Sequence, residues 1–84
     1  MAKRIYHKDE ITPVRCRIIL ALANNRMRLT HAAKELGMNH TNILYHSKLI
    51  KAITGKNPLN FYDLIDLVKL AKERLEYYDE FPVL

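Results

Sequence analysis

Glycine and proline are scarce, two and three in 84 residues. So few turn formers exclude a chain of tight hairpins or a glycine-rich phosphate loop, and each one that occurs marks a break between longer regular segments. Tryptophan is absent and cysteine occurs once, at Cys16. A lone thiol excludes an internal disulfide and a cysteine-based zinc site, and it points to a reducing, cytoplasmic compartment. The longest uninterrupted apolar run covers residues 18–23, far short of the roughly 18 residues that span a bilayer. No short apolar stretch follows basic residues near the start, so the chain is expected to be neither membrane-spanning nor secreted. Acids are rare through most of the length: residues 1–60 hold eleven Lys and Arg against three Asp and Glu, whereas residues 61–84 hold three against six.

What is present suffices for one small domain. Hydrophobic residues make up 49%, enough for a single core that buries about 60% of the unfolded surface, which argues against disorder. The length leaves no room for a two-domain enzyme. A net charge of +5, gathered in residues 1–60, suits a surface that meets an anion such as nucleic acid, though an ordinary soluble protein carries such a charge too.

The sparse punctuation divides the chain into helices. Thr12 before Pro13 is an N-cap followed by a favoured first-turn residue, and Val14, Ile18, Ala21 and Leu22 recur at helical spacing, predicting a first helix over 13–24. A basic turn of Arg26, Met27 and Arg28 leads to Leu29 and Thr30. Thr30 is expected to cap a short helix with Ala32, Ala33 and Leu36, ended by Gly37 in a left-handed C-cap. Asn39 caps a third helix with Ile43, Ile50 and Ile53 on one face, closed by Gly55. Asn60 caps a fourth, with Asp63 at the third position and Leu59 and Leu64 as a hydrophobic staple. Its stripe of Leu64, Leu67, Val68, Ala71, Leu75 and Tyr78 runs for about five turns. No stretch alternates as a strand does, although Ile5 and Tyr6 can pair weakly. The expected fold is all-α: a small bundle of about four helices over 11–80, between a basic N-terminal tail (1–10) and a C-terminal tail (81–84).

The segment from Leu29 to Ile53 has the spacing of a helix-turn-helix, a short helix, a pivot at Gly37 and a longer helix. Ala33, four residues before Gly37, is small enough for two helices to cross there. Ala32, Leu36, Met38 and Ile43 supply apolar contacts on either side; an ordinary helical hairpin with a glycine corner is the plainer alternative. With Ile43 inward, a turn of about 100° per residue sets Thr41, Leu44, Tyr45 and Lys48 on the outer face, with Ser47 and Ile50 near Ile43 and His46 at the core border. In a helix-turn-helix that face enters the major groove. His40, Thr41 and Asn42 then reach base edges, Leu44 a thymine methyl, Lys48 a phosphate, and Tyr45 either. Asn39 joins them at the helix start, as do Arg26, Arg28, Thr30 and His31 around the second helix.

Residues 33–55 resemble the C-terminal DNA-binding domain of PucR-type regulators, themselves similar to the Fis-like helix-turn-helix. Met38, Ile43, Tyr45 and the pair Thr54 and Gly55 match in register, and the helix from Phe61 matches the trailing helix, so the resemblance covers about residues 13–75. It implies a sequence-specific double-stranded DNA-binding protein of a bacterium or phage that regulates transcription. Where the family carries arginines on the third helix this chain has Leu44 and His46, and Ser47 stands where the family has leucine. Weaker phosphate binding is implied, which Arg26, Arg28 and an arm of Lys3 and Arg4 can offset.

The histidines do not assemble a metal site. His40 and His46 lie about 120° apart around one helix, and His31 sits on another element with no carboxylate or thiol at ligand spacing. His46 is expected to be partly buried and hydrogen-bonded. No nucleophile or acid–base motif occurs, so neither an enzyme nor a cofactor or small-molecule substrate is expected. Two alternatives stay open. The scaffold can serve as a protein-interaction module for a transcription component, through its outer face or the apolar tail 81–84. The end of the fourth helix, with Leu75, Tyr78 and Phe81, can cover a second copy across about residues 61–79 in a homodimer, or fold back on the first helix.

Overall fold

The computed structural model describes residues 11–80, with side chains through Glu76. Ile5 and Tyr6, the Lys3 and Arg4 arm, both tails and the side chain of Tyr78 lie outside the described residues. Four helices follow one another: α1 (Pro13–Asn24), α2 (Leu29–Leu36), α3 (His40–Thr54) and α4 (Phe61–Glu80). No strand occurs among the described residues, and no helix there is long and apolar enough to cross a membrane.

The helix ends follow from local chemistry. Thr12 is extended, and its Oγ1 accepts from the Arg15 N–H at 3.3 Å with Pro13 at the first turn. Asn39 does the same for α3 through the Asn42 N–H at 3.0 Å, and Asn60 for α4 through the Asp63 N–H at 3.0 Å. Each side chain satisfies one of the backbone donors that a helix start leaves unpaired. Asp63 reaches further back, its carboxylate accepting from the Asn57 N–H at 3.0 Å. Gly37, at φ +69, ends α2 as expected. The Met38 N–H bonds to the Ala33 carbonyl at 3.0 Å and the Gly37 N–H to Lys34 at 3.3 Å, the paired bonds of a Schellman turn.

The start of α2 corrects the sequence expectation. Thr30 does not cap it; the helix begins at Leu29 with Arg28 at the cap position and no side-chain bond there. The reason lies upstream. Arg26 and Met27 both take left-handed backbone, φ 55 and 65, the Met27 N–H returns to the Leu22 carbonyl at 2.6 Å, and the Arg28 N–H bonds to Asn25 at 3.0 Å. The chain has therefore reversed by Arg28, whose carbonyl accepts the first helical bond from Ala32 at 3.0 Å. The Asn25 side chain fastens this corner, donating to the Ala21 carbonyl and to Glu35 Oε1, each at 2.8 Å.

α1 is the hub. Among the described residues it packs on α4, α2 and α3, and α2 packs on α3, while α4 pairs with neither α2 nor α3. A helix touched on several sides is apolar most of the way round, and Cys16, Ile18, Ile19, Ala21 and Leu22 are all buried. Val14, counted with this stripe on spacing, is instead 44% exposed. From the other helices come Ala32, Ala33, Ile43, Ile50, Leu64, Leu67 and Ala71. Burial pushes the Cys16 thiol up to about 11, with Arg74 and Arg17 partly opposing it, so it stays protonated and weakly nucleophilic.

The stripe of α4 is spent on α1. Leu64, Leu67 and Ala71 are buried, and Val68 and Leu75 pack against the same core. α4 runs back along α1 from its first turn, and Leu75 keeps part of its surface exposed.

Candidate nucleic-acid interface

α3 is held by three residues on one side. Ile43, Ser47 and Ile50 are buried at 0%, 3% and 0% exposure, while positions 40, 41, 42, 44, 45, 48, 51 and 52 are exposed. This is the 3.6-residue periodicity expressed as packing. Leu44, at 39%, and Tyr45, at 59%, are large apolar surfaces facing water on the outer side with Thr41 and Lys48.

Every sequence-derived candidate is exposed: Arg26, Arg28, Thr30, His31, Asn39, His40, Thr41, Asn42, Leu44, Tyr45 and Lys48. They do not form one group. Thr30, Asn39, His40 and Thr41 line a shallow depression between α2 and the start of α3, together with Ala33, Met38 and Lys34. It adjoins the N-terminal end of α3, where the helix dipole favours an anion. Lys34 is the residue missed from sequence; its signal was the i, i+4 spacing from Thr30, which sets both on one side of α2. Asn39 has its Oδ1 committed to the Asn42 N–H, leaving its amide NH2 as the outward donor. Arg26 sits elsewhere, at a cleft between the α1–α2 corner and α4.

Behind the exposed face, a polar contact fixes α3 against α1. Arg15, 7% exposed, donates from Nε to His46 Nδ1 at 3.4 Å. His46 is half-buried, as expected, and its ring meets the Tyr45 ring edge-on with centroids 5.4 Å apart. Burial first, and the Arg15 charge second, hold the imidazole below its ordinary 6.5, which keeps it neutral with Nδ1 as acceptor. A residue of the core side thus stands next to one of the outer face. Ser47, one position on, has a buried hydroxyl with no hydrogen-bond partner.

Among the described residues no group of three His, Cys, Asp or Glu side chains is placed to hold a metal ion. No family model, curated protein or solved structure matches the chain.

Proposed function

We propose that the protein is a sequence-specific double-stranded DNA-binding protein, a transcription regulator that uses α2 and α3 as a helix-turn-helix and reads the major groove with the outer face of α3. The observation that carries this reading is the division of α3: Ile43, Ser47 and Ile50 inward, Thr41, Leu44, Tyr45 and Lys48 outward. The face combines side chains that discriminate base edges with one that neutralises phosphate. Lys34, with Thr30 beside it on the depression, and Arg28 at the cap of α2 supply contacts to the flanking backbone. The resemblance of residues 33–55 to PucR-type domains supports the same assignment.

A second reading is favoured by Leu44 and Tyr45, an exposed apolar pair on a helix with few cations. In it the outer face binds a protein of the transcription apparatus. Selection of bound duplexes from a random pool, followed by a salt titration on the winning sequence, separates the two. DNA recognition yields an enriched sequence and a slope of log affinity on log salt of about −0.9 per phosphate neutralised. No enrichment, or affinity indifferent to salt, refutes it.

A further inference from the structure

The outer face of α3 runs from Thr41 through Leu44 and Tyr45 to Lys48, steps of three or four residues that keep to one side of the helix. Its middle is apolar, with Leu44 39% and Tyr45 59% exposed. α3 contains no arginine, and its two lysines, Lys48 and Lys51, both fall in its second half. The side chain that most often reads guanine, through O6 and N7, is therefore missing. The cations that remain lie away from the N-terminal end, the part of a recognition helix that meets base edges.

An apolar side chain laid on a base pair takes that edge's donors and acceptors out of water and offers them no partner. A G·C pair shows N7, O6 and N4 to the major groove and no methyl group, so covering it with Leu44 is unfavourable. An A·T pair carries the thymine 5-methyl, the apolar feature of the groove. Leu44 can bury that methyl while the adenine edge stays open to a polar neighbour. Asn42, exposed and one helical turn before Tyr45, has the amide for it. Only its backbone N–H goes to the Asn39 cap, and its side chain carries the acceptor and donor that adenine N6 and N7 require. Asn39 is less suited, because its Oδ1 is committed to that cap.

Resting on the assignment of α3 as the recognition helix, we propose that the group this face recognises is the thymine 5-methyl. The target then contains adjacent A·T pairs, with Leu44 on one thymine and the methyl of Thr41 on the next, since helix residues three apart reach successive bases.

Selection of duplexes from a random pool by the full chain, followed by single-base replacement in the winner, tests it. Adjacent thymines are expected in the enriched site. Replacing either by deoxyuridine keeps every hydrogen-bonding group and removes only the methyl; it should weaken binding about fourfold with the salt slope unchanged. Cytosine at the same position should bind worse still, and 5-methylcytosine should recover about fourfold of that loss. In Leu44→Ala one of the two positions should become indifferent to uracil, whereas Lys48→Ala should bind more weakly yet keep the uracil effect at both. Circular dichroism checks that Leu44→Ala retains its helices, and the uracil series on the wild-type chain decides without any variant. An enriched site that binds equally well with uracil, or whose strongest positions are G·C, overturns the methyl assignment and leaves DNA binding standing. So does a folded Leu44→Ala that keeps the full uracil effect at both positions. A pool with no enriched sequence removes the DNA reading itself, and the methyl assignment with it.

Discussion

Arg15 and His46, 31 residues apart, meet as donor and acceptor across the packing of α1 on α3. The guanidinium is almost wholly buried, so its bond to a neutral imidazole is part of how α3 is oriented on the hub helix. Protonating that imidazole removes the acceptor and sets two cations side by side.

The pH dependence follows from the sign of this shift. The folded chain holds His46 below 6.5, while the unfolded chain titrates near about 6.5. The unfolded state therefore binds more protons in the window below that value, and stability rises with pH through it. The contribution is complete above about pH 6.5 and lost progressively as pH falls towards and through the folded value. Urea midpoints measured from about pH 8 down to about pH 5 are expected to decline, and His46→Gln to flatten the decline. An undiminished slope in that variant would assign the titration to another group.

Ser47→Ala should stabilise the domain. The hydroxyl is buried without a partner, so its desolvation is uncompensated, and its removal leaves a methyl on the side of α3 that also buries Ile43 and Ile50. A gain of about 1 kcal/mol is expected, read as a higher urea midpoint at unchanged m-value. A loss of stability would mean that the hydroxyl has a partner in solution, such as an ordered water.

The two corners that flank α2 should respond in opposite directions. Arg26 holds left-handed backbone with a side chain that disfavours it, and Arg26→Gly is expected to raise stability by up to about 1 kcal/mol. Gly37→Ala is expected to lower it by about 1 kcal/mol, purely through conformation, since an added Cβ at Gly37 has no atom within 4 Å. Thermal midpoints of the two variants, measured side by side, check both signs.

On the proposed function, substitutions on α3 divide into two classes. Thr41→Ala and Tyr45→Ala should keep the fold and change which duplexes are preferred, by about 1 to 3 kcal/mol between sequences. Lys48→Ala and Arg28→Ala should weaken all duplexes alike and reduce the salt slope by about one unit. Equal losses on every duplex for Tyr45→Ala would move that side chain to the backbone class.

Much of the fold was legible because its signals are local. The caps at Thr12, Asn39 and Asn60 each act within three residues, and Gly37 and Gly55 supply the left-handed residue that their own helix ends require. The outer face of α3 was legible too, since Ile43 and Ile50 leave only one side of a helix for the core. The start of α2 was not. Nothing in the residue types of Arg26 and Met27 announces left-handed backbone, which is imposed by the bond back to Leu22 and by Asn25 fastening to Glu35. Lys34 went unnoticed for a related reason: its place beside Asn39 and His40 exists only once α2 and α3 are set against each other.

The sequence by itself therefore determined four helices, nearly all their ends and the side that α3 turns outward, because hydrogen bonds within a turn and the 3.6-residue repeat depend on neighbours along the chain. Tertiary structure alone decided that α4 packs along α1, that Arg15 is buried against His46, and that Phe61, Tyr62 and Ile65 are left exposed. Those outcomes depend on which surfaces α1, touched from several sides, has left to offer. A helical stripe states that it must be buried without naming its partner; only the packing of residues distant in sequence makes that choice.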